Sequence, residues 1–158
     1  QEISRIDKLT GVNNRNAYEL DLFSVAEKCR YTLSCVYVDV NGLHELNNAR
    51  GHEYGDIMLK SVAKQIKMAF PGGMVYRTGG DEFIVFVPDS SNADVGYDLI
   101  NLIKKVEAEG YHIAVGYDTA NLRGLLIDNL VRAAERSMFL NKNEYYKNLA
   151  REARKENY

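Results

Sequence analysis

The sequence predicts one α/β (α+β) domain: a sheet with helices packed over it. Three observations carry this. Strand-like runs alternate with segments whose apolar residues recur every three or four positions, the mark of one buried helical face. Leu33 to Val40, LSCVYVDV, is almost continuously apolar until Asp39, as a central strand covered on both faces should be. Tyr76 to Val87, YRTGGDEFIVFV, reads as an antiparallel hairpin with acid at its tip. At 158 residues and 46% hydrophobic composition, the chain is long enough for one ordinary core and short for two.

A lead-in segment, residues 1–12, contains DKLTG, where Asp7 and Thr10 can bond nearby backbone amides and Gly11 permits a sharp turn. A first helix is expected from Asn14 to Arg30, with Tyr18, Leu22, Val25 and Cys29 on its inner face. The strand Leu33 to Val40 then sets Asp39 at its C-terminal end, where ligands gather in sheets with helical crossovers. A short helical turn, Leu43 to Asn48, leads past Gly51 and Gly55 into a longer helix striped by Leu59, Val62, Ala63, Ile66 and Phe70, and Pro71, Gly72 and Gly73 end it. The hairpin strands are Met74 to Tyr76 and Phe83 to Val87, joined through Gly79 and Gly80, whose backbone freedom suits a tight turn. After a polar connection, Leu99, Leu102, Ile103 and Val106 mark a third long helix that Gly110 stops. His112 to Tyr117 is a short strand. Leu126, Leu130, Ala133 or Ala134, and Met138 mark the last helix, expected to end near Asn141 and run into a charged tail or linker over 148–158.

Composition excludes several classes. With 20 basic and 22 acidic residues the formal charge is -2, without the basic excess of a nucleic-acid binder. Cys29 and Cys35 lack metal-ligand spacing, and Cys35 reads as a buried free thiol. No apolar run approaches the roughly 18 residues of a membrane span, so membrane contact by this stretch is not expected and a cytoplasmic setting is. Gln1 stands where an initiator methionine would, which suggests a piece of a longer polypeptide whose upstream part could carry a sensor or membrane segment.

The chemistry centres on carboxylates. Asp81 and Glu82 repel when packed together, so a shared cation is one reading of the tip and an ordinary solvated turn is the other. If the Asp39 strand neighbours the hairpin, the three acids converge into a site for Mg²⁺, a hard cation that takes oxygen ligands and borrows the remainder from water and phosphate. Phosphoryl or nucleotidyl transfer is the matching reaction class.

At Gly79-Gly80-Asp81-Glu82-Phe83 the chain resembles the GGDEF family of diguanylate cyclases. DKLTGVNNR at 7 to 15, VDVNGLHELNNARGHEYGD at 38 to 56 and AVGYD at 114 to 118 are similar to the family's flanking blocks, in the same order. The resemblance implies a palm-like nucleotidyl cyclase fold with a mostly antiparallel central sheet and the GGDEF β-hairpin. It implies one GTP per domain, Mg²⁺ or Mn²⁺ as cofactor, and a second GGDEF domain facing the first to form cyclic di-GMP with release of pyrophosphate. An upstream sensor or regulatory domain is a further implied partner.

By position, Asp39, the Val40 carbonyl, Asp81 and Glu82 resemble the metal ligands, with Asp81 and Glu82 catalytic and Glu82 able to assist deprotonation of the ribose 3′-hydroxyl. Gly79 and Gly80 form the turn that lets backbone approach the nucleotide. Asn47 and Asp56 match the guanine-binding positions; a carboxylate suits the guanine N1 and N2 hydrogens. On sequence alone Asn47 is also a possible helix cap, and Asp56 a surface residue favoured by the helix dipole. Gly42, Leu43, His44 and Lys142 match phosphate contacts, though a helical lysine alone is most often solvated.

Departures accompany these matches. His44, a residue type largely uncharged at pH 7, replaces a lysine frequent in relatives, and Tyr146 stands where arginine or lysine is usual. Residues 70–73 read Phe-Pro-Gly-Gly where feedback-inhibited members carry Arg-x-x-Asp. The expected function is thus a diguanylate cyclase with a weakened triphosphate clamp. The alternative is a weak or inactive domain that binds GTP as a regulatory module. A cyclase making other products is disfavoured by Asp56.

Overall fold

The computed structural model describes residues 3–157. Among them the sheet has four strands: β1 (Thr32–Asn41), β2 (Met74–Arg77), β3 (Glu82–Pro88) and β4 (His112–Asn121), in the order β2-β3-β1-β4 with every pairing antiparallel. The helices are α1 (Arg15–Asp21), α2 (Leu43–Arg50), α3 (His52–Ala69), α4 (Asn92–Ala108) and α5 (Ile127–Glu156), and a 3₁₀ turn covers Val25–Lys28. The expected α+β architecture is present. Its middle strands are β3 and β1, the two that carry the acids.

Alternation along the strands builds two cores. Val36, Val38, Val40, Phe83, Val85, Val87 and Ile113 pack with Met58, Leu59, Val62 and Ile66 of α3 and with Val95, Leu99, Leu102 and Val106 of α4. On the opposite face Leu33, Cys35, Tyr37, Ile84, Phe86 and Ala114 pack with Ala17 and Tyr18 of α1 and with Leu130, Ala134 and Met138 of α5. Asp39 continues the odd-numbered series of β1, so it emerges on the α5 face. Gly116 of β4 lets α5 lie against the sheet: a Cβ there would collide with the Ala134 carbonyl oxygen and the Met138 amide nitrogen.

Four expectations need correction. The first helix does not run from Asn14 to Arg30; it stops at Asp21, and the rest of the stripe is completed by the 3₁₀ turn. The carboxylate of Asp21 is held by the Tyr76 hydroxyl (2.6 Å) and by Arg5 (2.7 Å), which pins the helix end, and Val25 drops into the core on the turn that follows. The last helix does not end near Asn141; it continues to Glu156. No glycine or proline follows Gly124, and Lys, Glu, Ala, Arg and Leu are good helix formers, so nothing local stops it. Leu126 lies outside the stripe, 64% exposed at the start of that helix. Finally, the hairpin turn does not draw on the backbone freedom expected of its glycines, because neither Gly79 nor Gly80 has positive φ. Both cysteines are free, with Cys35 buried, as expected.

Candidate metal and nucleotide site

Asp39 meets the hairpin because β1 and β3 pair. In their register Asp39 lies opposite Glu82, and the Val40 amide donates to the Asp81 carbonyl oxygen at 2.8 Å. In an antiparallel ladder a residue's C=O leaves the strand on the same side as its N–H, so the Val40 carbonyl also faces the hairpin. Carboxylate oxygens of Asp39, Asp81 and Glu82 all lie within 4.8 Å of one another. The sequence-predicted convergence is therefore present.

Electrostatics at this point are strained. Burial, then the charge of Asp81, raises the pKa of Asp39 above the usual carboxylate value, and Lys142 only partly offsets this through a 3.2 Å bond to Asp39 Oδ2. Burial opposes the charge on Lys142 too, but the hydrogen bond and charge of Asp39 outweigh it and raise the lysine's pKa. Asp39 Oδ1 is buried with no hydrogen-bond partner among the described residues. Crowded hard oxygen donors with one orphaned atom fit a cation such as Mg²⁺ or Mn²⁺.

Gly42 opens α2 in a left-handed conformation (φ 80°, ψ 8°), and its carbonyl accepts the Leu46 amide at 2.9 Å. The amides of Leu43 and His44 thus head a helix whose first-turn donors have no intrahelical partner. Beside them lies a cavity of about 490 Å³ lined in part by Asn41, Gly42, Leu46, His112 and Tyr145. His44 is exposed, its Nε2 lying 3.2 Å from Asn48 Nδ2. Tyr146 is also exposed, and it is Tyr145 that touches the sheet end, stacked on His112 with ring centroids 3.6 Å apart.

Asn47 sits on α2 with Oδ1 buried and unpartnered among the described residues. It rests directly on Gly55 of α3, where any Cβ would overlap the Asn47 amide. Asp56, the next residue, is exposed early in α3. The missing side chain of Gly55 is therefore what lets the Asn47 amide pack against α3, one residue before Asp56. Lys142, which the resemblance assigns to phosphate, is here bonded to Asp39.

Sequence reasoning missed the supports of the tip. Arg15 donates to the Thr78 carbonyl oxygen at 2.8 Å, and Arg77 donates to the Gly80 carbonyl oxygen at 2.8 Å while bonding Asp7 at 3.2 Å. Thr10 donates to Asp7 from both hydroxyl (2.6 Å) and amide (3.0 Å). Two guanidiniums thus tie the acidic turn down, Arg15 to α1 and Arg77 to Asp7 of the lead-in segment. The adjacency of DKLTG and NNR to one turn is long-range, and no local signal announces it. Tyr37 was also missed; its hydroxyl donates to Glu82 Oε2 at 3.1 Å. Here a signal existed, since Tyr37 precedes Asp39 by two positions on one strand and so shares its face.

Burial disfavours the Asp7 carboxylate, but the Thr10 bonds and then the Arg77 charge outweigh it and hold its pKa below the ordinary value. A depressed folded pKa stabilises above the unfolded value near ~3.9 and is lost as pH falls through the folded value. The amide resonance of Thr10, which donates to Asp7, followed by NMR from neutral to acid, should therefore hold its position until below about pH 3.9. Movement at a higher pH would contradict the anchor.

An antiparallel sheet with helices on both faces and acids at the ends of its middle strands fits the palm-like fold that the resemblance implies. The chain belongs to the GGDEF domain family: the family profile described as "Diguanylate cyclase, GGDEF domain" matches residues 4–148. Over 113 residues it is 33% identical to the cyclic di-GMP phosphodiesterase PdeB of Shewanella oneidensis, covering 71% of this chain and 13% of that protein. Over 114 residues it is 32% identical to the diguanylate cyclase DgcP of Escherichia coli, covering 70% of this chain and 33% of that one. The chain thus spans a third or less of these relatives.

Among solved structures, the GGDEF domain of FimX from Pseudomonas aeruginosa superposes with a TM-score of 0.81 at 19% identity, covering 90% of this chain and 96% of that one. The GGDEF domain of DgcB from Caulobacter crescentus, solved with c-di-GMP, gives 0.79 at 20% identity over 91% and 93% of the two chains. At such identity these likenesses establish the fold. No helix among the described residues is long and apolar enough to cross a membrane.

Proposed function

We propose that this domain is a diguanylate cyclase, condensing two GTP into cyclic di-GMP with release of pyrophosphate as a dimer of half-sites. The observation that carries the reading is the packing of the Asp39, Asp81 and Glu82 carboxylates within 4.8 Å, with Asp39 Oδ1 left without a partner. Asp39, Asp81, Glu82 and the Val40 carbonyl would hold Mg²⁺ or Mn²⁺, which when bound lowers the pKa of a coordinated hydroxyl and neutralises charge on phosphate. Glu82 would also assist deprotonation of the ribose 3′-hydroxyl. Asn47 and Asp56 would read the guanine edge, with the exposed carboxylate of Asp56 able to accept from the N1 and N2 hydrogens. Amides of Gly42, Leu43 and His44 receive phosphate oxygens at the head of α2. Lys142 neutralises Asp39 in the absence of ligand and becomes available to phosphate once a cation takes over that role. Its partners are GTP, a second GGDEF domain and an upstream regulatory domain.

The test is incubation at high protein concentration with GTP and Mg²⁺, with products resolved by chromatography: cyclic di-GMP is expected, and Asp81→Asn should abolish it. Retention of wild-type rate by Asp81→Asn would sink the metal assignment.

A second reading, a GTP-binding regulatory module with little or no turnover, is favoured by one feature: the phosphate loop and the last helix present exposed His44 and Tyr146 where fixed positive charge would clamp triphosphate. An artificially dimerised form that binds GTP without making product would establish it. In either reading, His44→Lys should tighten GTP binding about fivefold, an effect that shrinks with added salt. Unchanged affinity in a titration would mean that position 44 does not contact phosphate.

A further inference from the structure

We propose that Tyr37 is a positioning residue that fixes the Glu82 carboxylate for the cation site. The inference rests on the reading of the three acids as a metal centre. Tyr37 lies on β1 two residues before Asp39, is 6% exposed, and packs in the core between the sheet and α5. Its hydroxyl donates to Glu82 Oε2 at 3.1 Å. The same oxygen closes on the hairpin turn, where a Cβ at Gly79 would stand 3.3 Å from it.

A buried phenol needs this explanation. Phenylalanine would fill the same volume without a polar atom to desolvate, so the hydroxyl is a cost to the core unless its bond is used. Glu135 of α5 is a second carboxylate within reach of the hydroxyl and competes for its proton, while the bond that meets hydrogen-bond geometry, at 3.1 Å, goes to Glu82. A phenol is protonated at neutral pH, so the hydroxyl donates and the carboxylate accepts. A glutamate at a strand end otherwise samples several rotamers, and donation to one oxygen restricts it and offsets repulsion from Asp39 and Asp81. Partners behind a metal ligand typically change metal affinity or activity by ~10- to 100-fold when removed. Gly79 acquires a role here that differs from backbone flexibility. It makes room for the held carboxylate.

The experiment is Mn²⁺ titration by calorimetry, without nucleotide, on wild type, Tyr37→Phe and Glu135→Gln. Tyr37→Phe should weaken Mn²⁺ binding about tenfold with an unchanged or higher melting temperature, while Glu135→Gln binds as wild type. In turnover, Tyr37→Phe should lower kcat about tenfold and shift the Mg²⁺ requirement upward, with little change in KM for GTP. Wild-type Mn²⁺ affinity in Tyr37→Phe overturns the proposal, as does a loss of affinity that accompanies a lowered melting temperature. A wild-type domain that binds Mn²⁺ yet makes no cyclic di-GMP refutes the cyclase reading and leaves the Tyr37 assignment standing. One that binds no Mn²⁺ overturns the Tyr37 assignment, while the formation of cyclic di-GMP alone decides the cyclase reading.

Discussion

Asparagine in place of Asp39 should eliminate turnover and at the same time raise the melting temperature of the metal-free domain. Asp39 is 4% exposed and its pKa is raised by burial and by Asp81. A carboxyl that binds its proton more tightly in the folded chain stabilises the fold below its unfolded pKa, near ~3.9, and loses that contribution as pH rises through the folded value. At neutral pH the ionised group is therefore a standing cost. Asparagine keeps the size of the side chain and an oxygen for Lys142 while removing the charge. Thermal unfolding in chelator should show Asp39→Asn above wild type at pH 7, with the gap closing as pH falls toward 4. Added Mg²⁺ should reverse the order by stabilising the wild type alone. Product formation should fall by about 10³-fold or more, because a metal centre supplies several kcal/mol of charge stabilisation. A variant less stable than wild type in chelator would show that Asp39 is a structural anchor instead.

Gly116→Ala is expected to be the most damaging single-carbon change in the fold. The added Cβ meets backbone atoms of α5, the Ala134 carbonyl oxygen and the Met138 amide nitrogen, which cannot rotate away as a side chain would. The helix must lift from the sheet, and overpacking of this kind costs about 3 kcal/mol or more. Lifting α5 also withdraws Lys142 from Asp39, which now touch at 3.2 Å. Urea unfolding should give a lower midpoint at unchanged slope, and the substitution should weaken GTP binding through Lys142 in protein that remains folded. An unaltered midpoint would mean that α5 does not seat on β4 as described.

Much of the architecture was legible because it is periodic. The α3 and α4 stripes, the apolar run of β1 and the two hairpin strands each state their face in the sequence, and the structure places them within a few residues of expectation. Periodicity failed where it continues through a break. Tyr18, Leu22, Val25 and Cys29 keep helical spacing although the backbone turns after Asp21, since the bonds that end α1 come from Arg5 and Tyr76, distant in sequence. It failed in the opposite sense at α5, where a solvated charged segment carries no stripe and yet remains helical to Glu156.

By itself the sequence determined the element order and the acids at the tip and the strand end, because these are properties of residue type and local spacing. Tertiary structure alone decided how they act together. The antiparallel register of β1 and β3 sets Asp39 opposite Glu82, and a slip of one residue would turn Asp39 to the other face of the sheet. Lys142 reaches Asp39 from 103 positions away, Arg15 holds the Thr78 carbonyl from 63 and Tyr37 holds Glu82 from 45. Long-range hydrogen bonds of this kind depend on how the sheet and helices pack, and no local pattern in the chain encodes them.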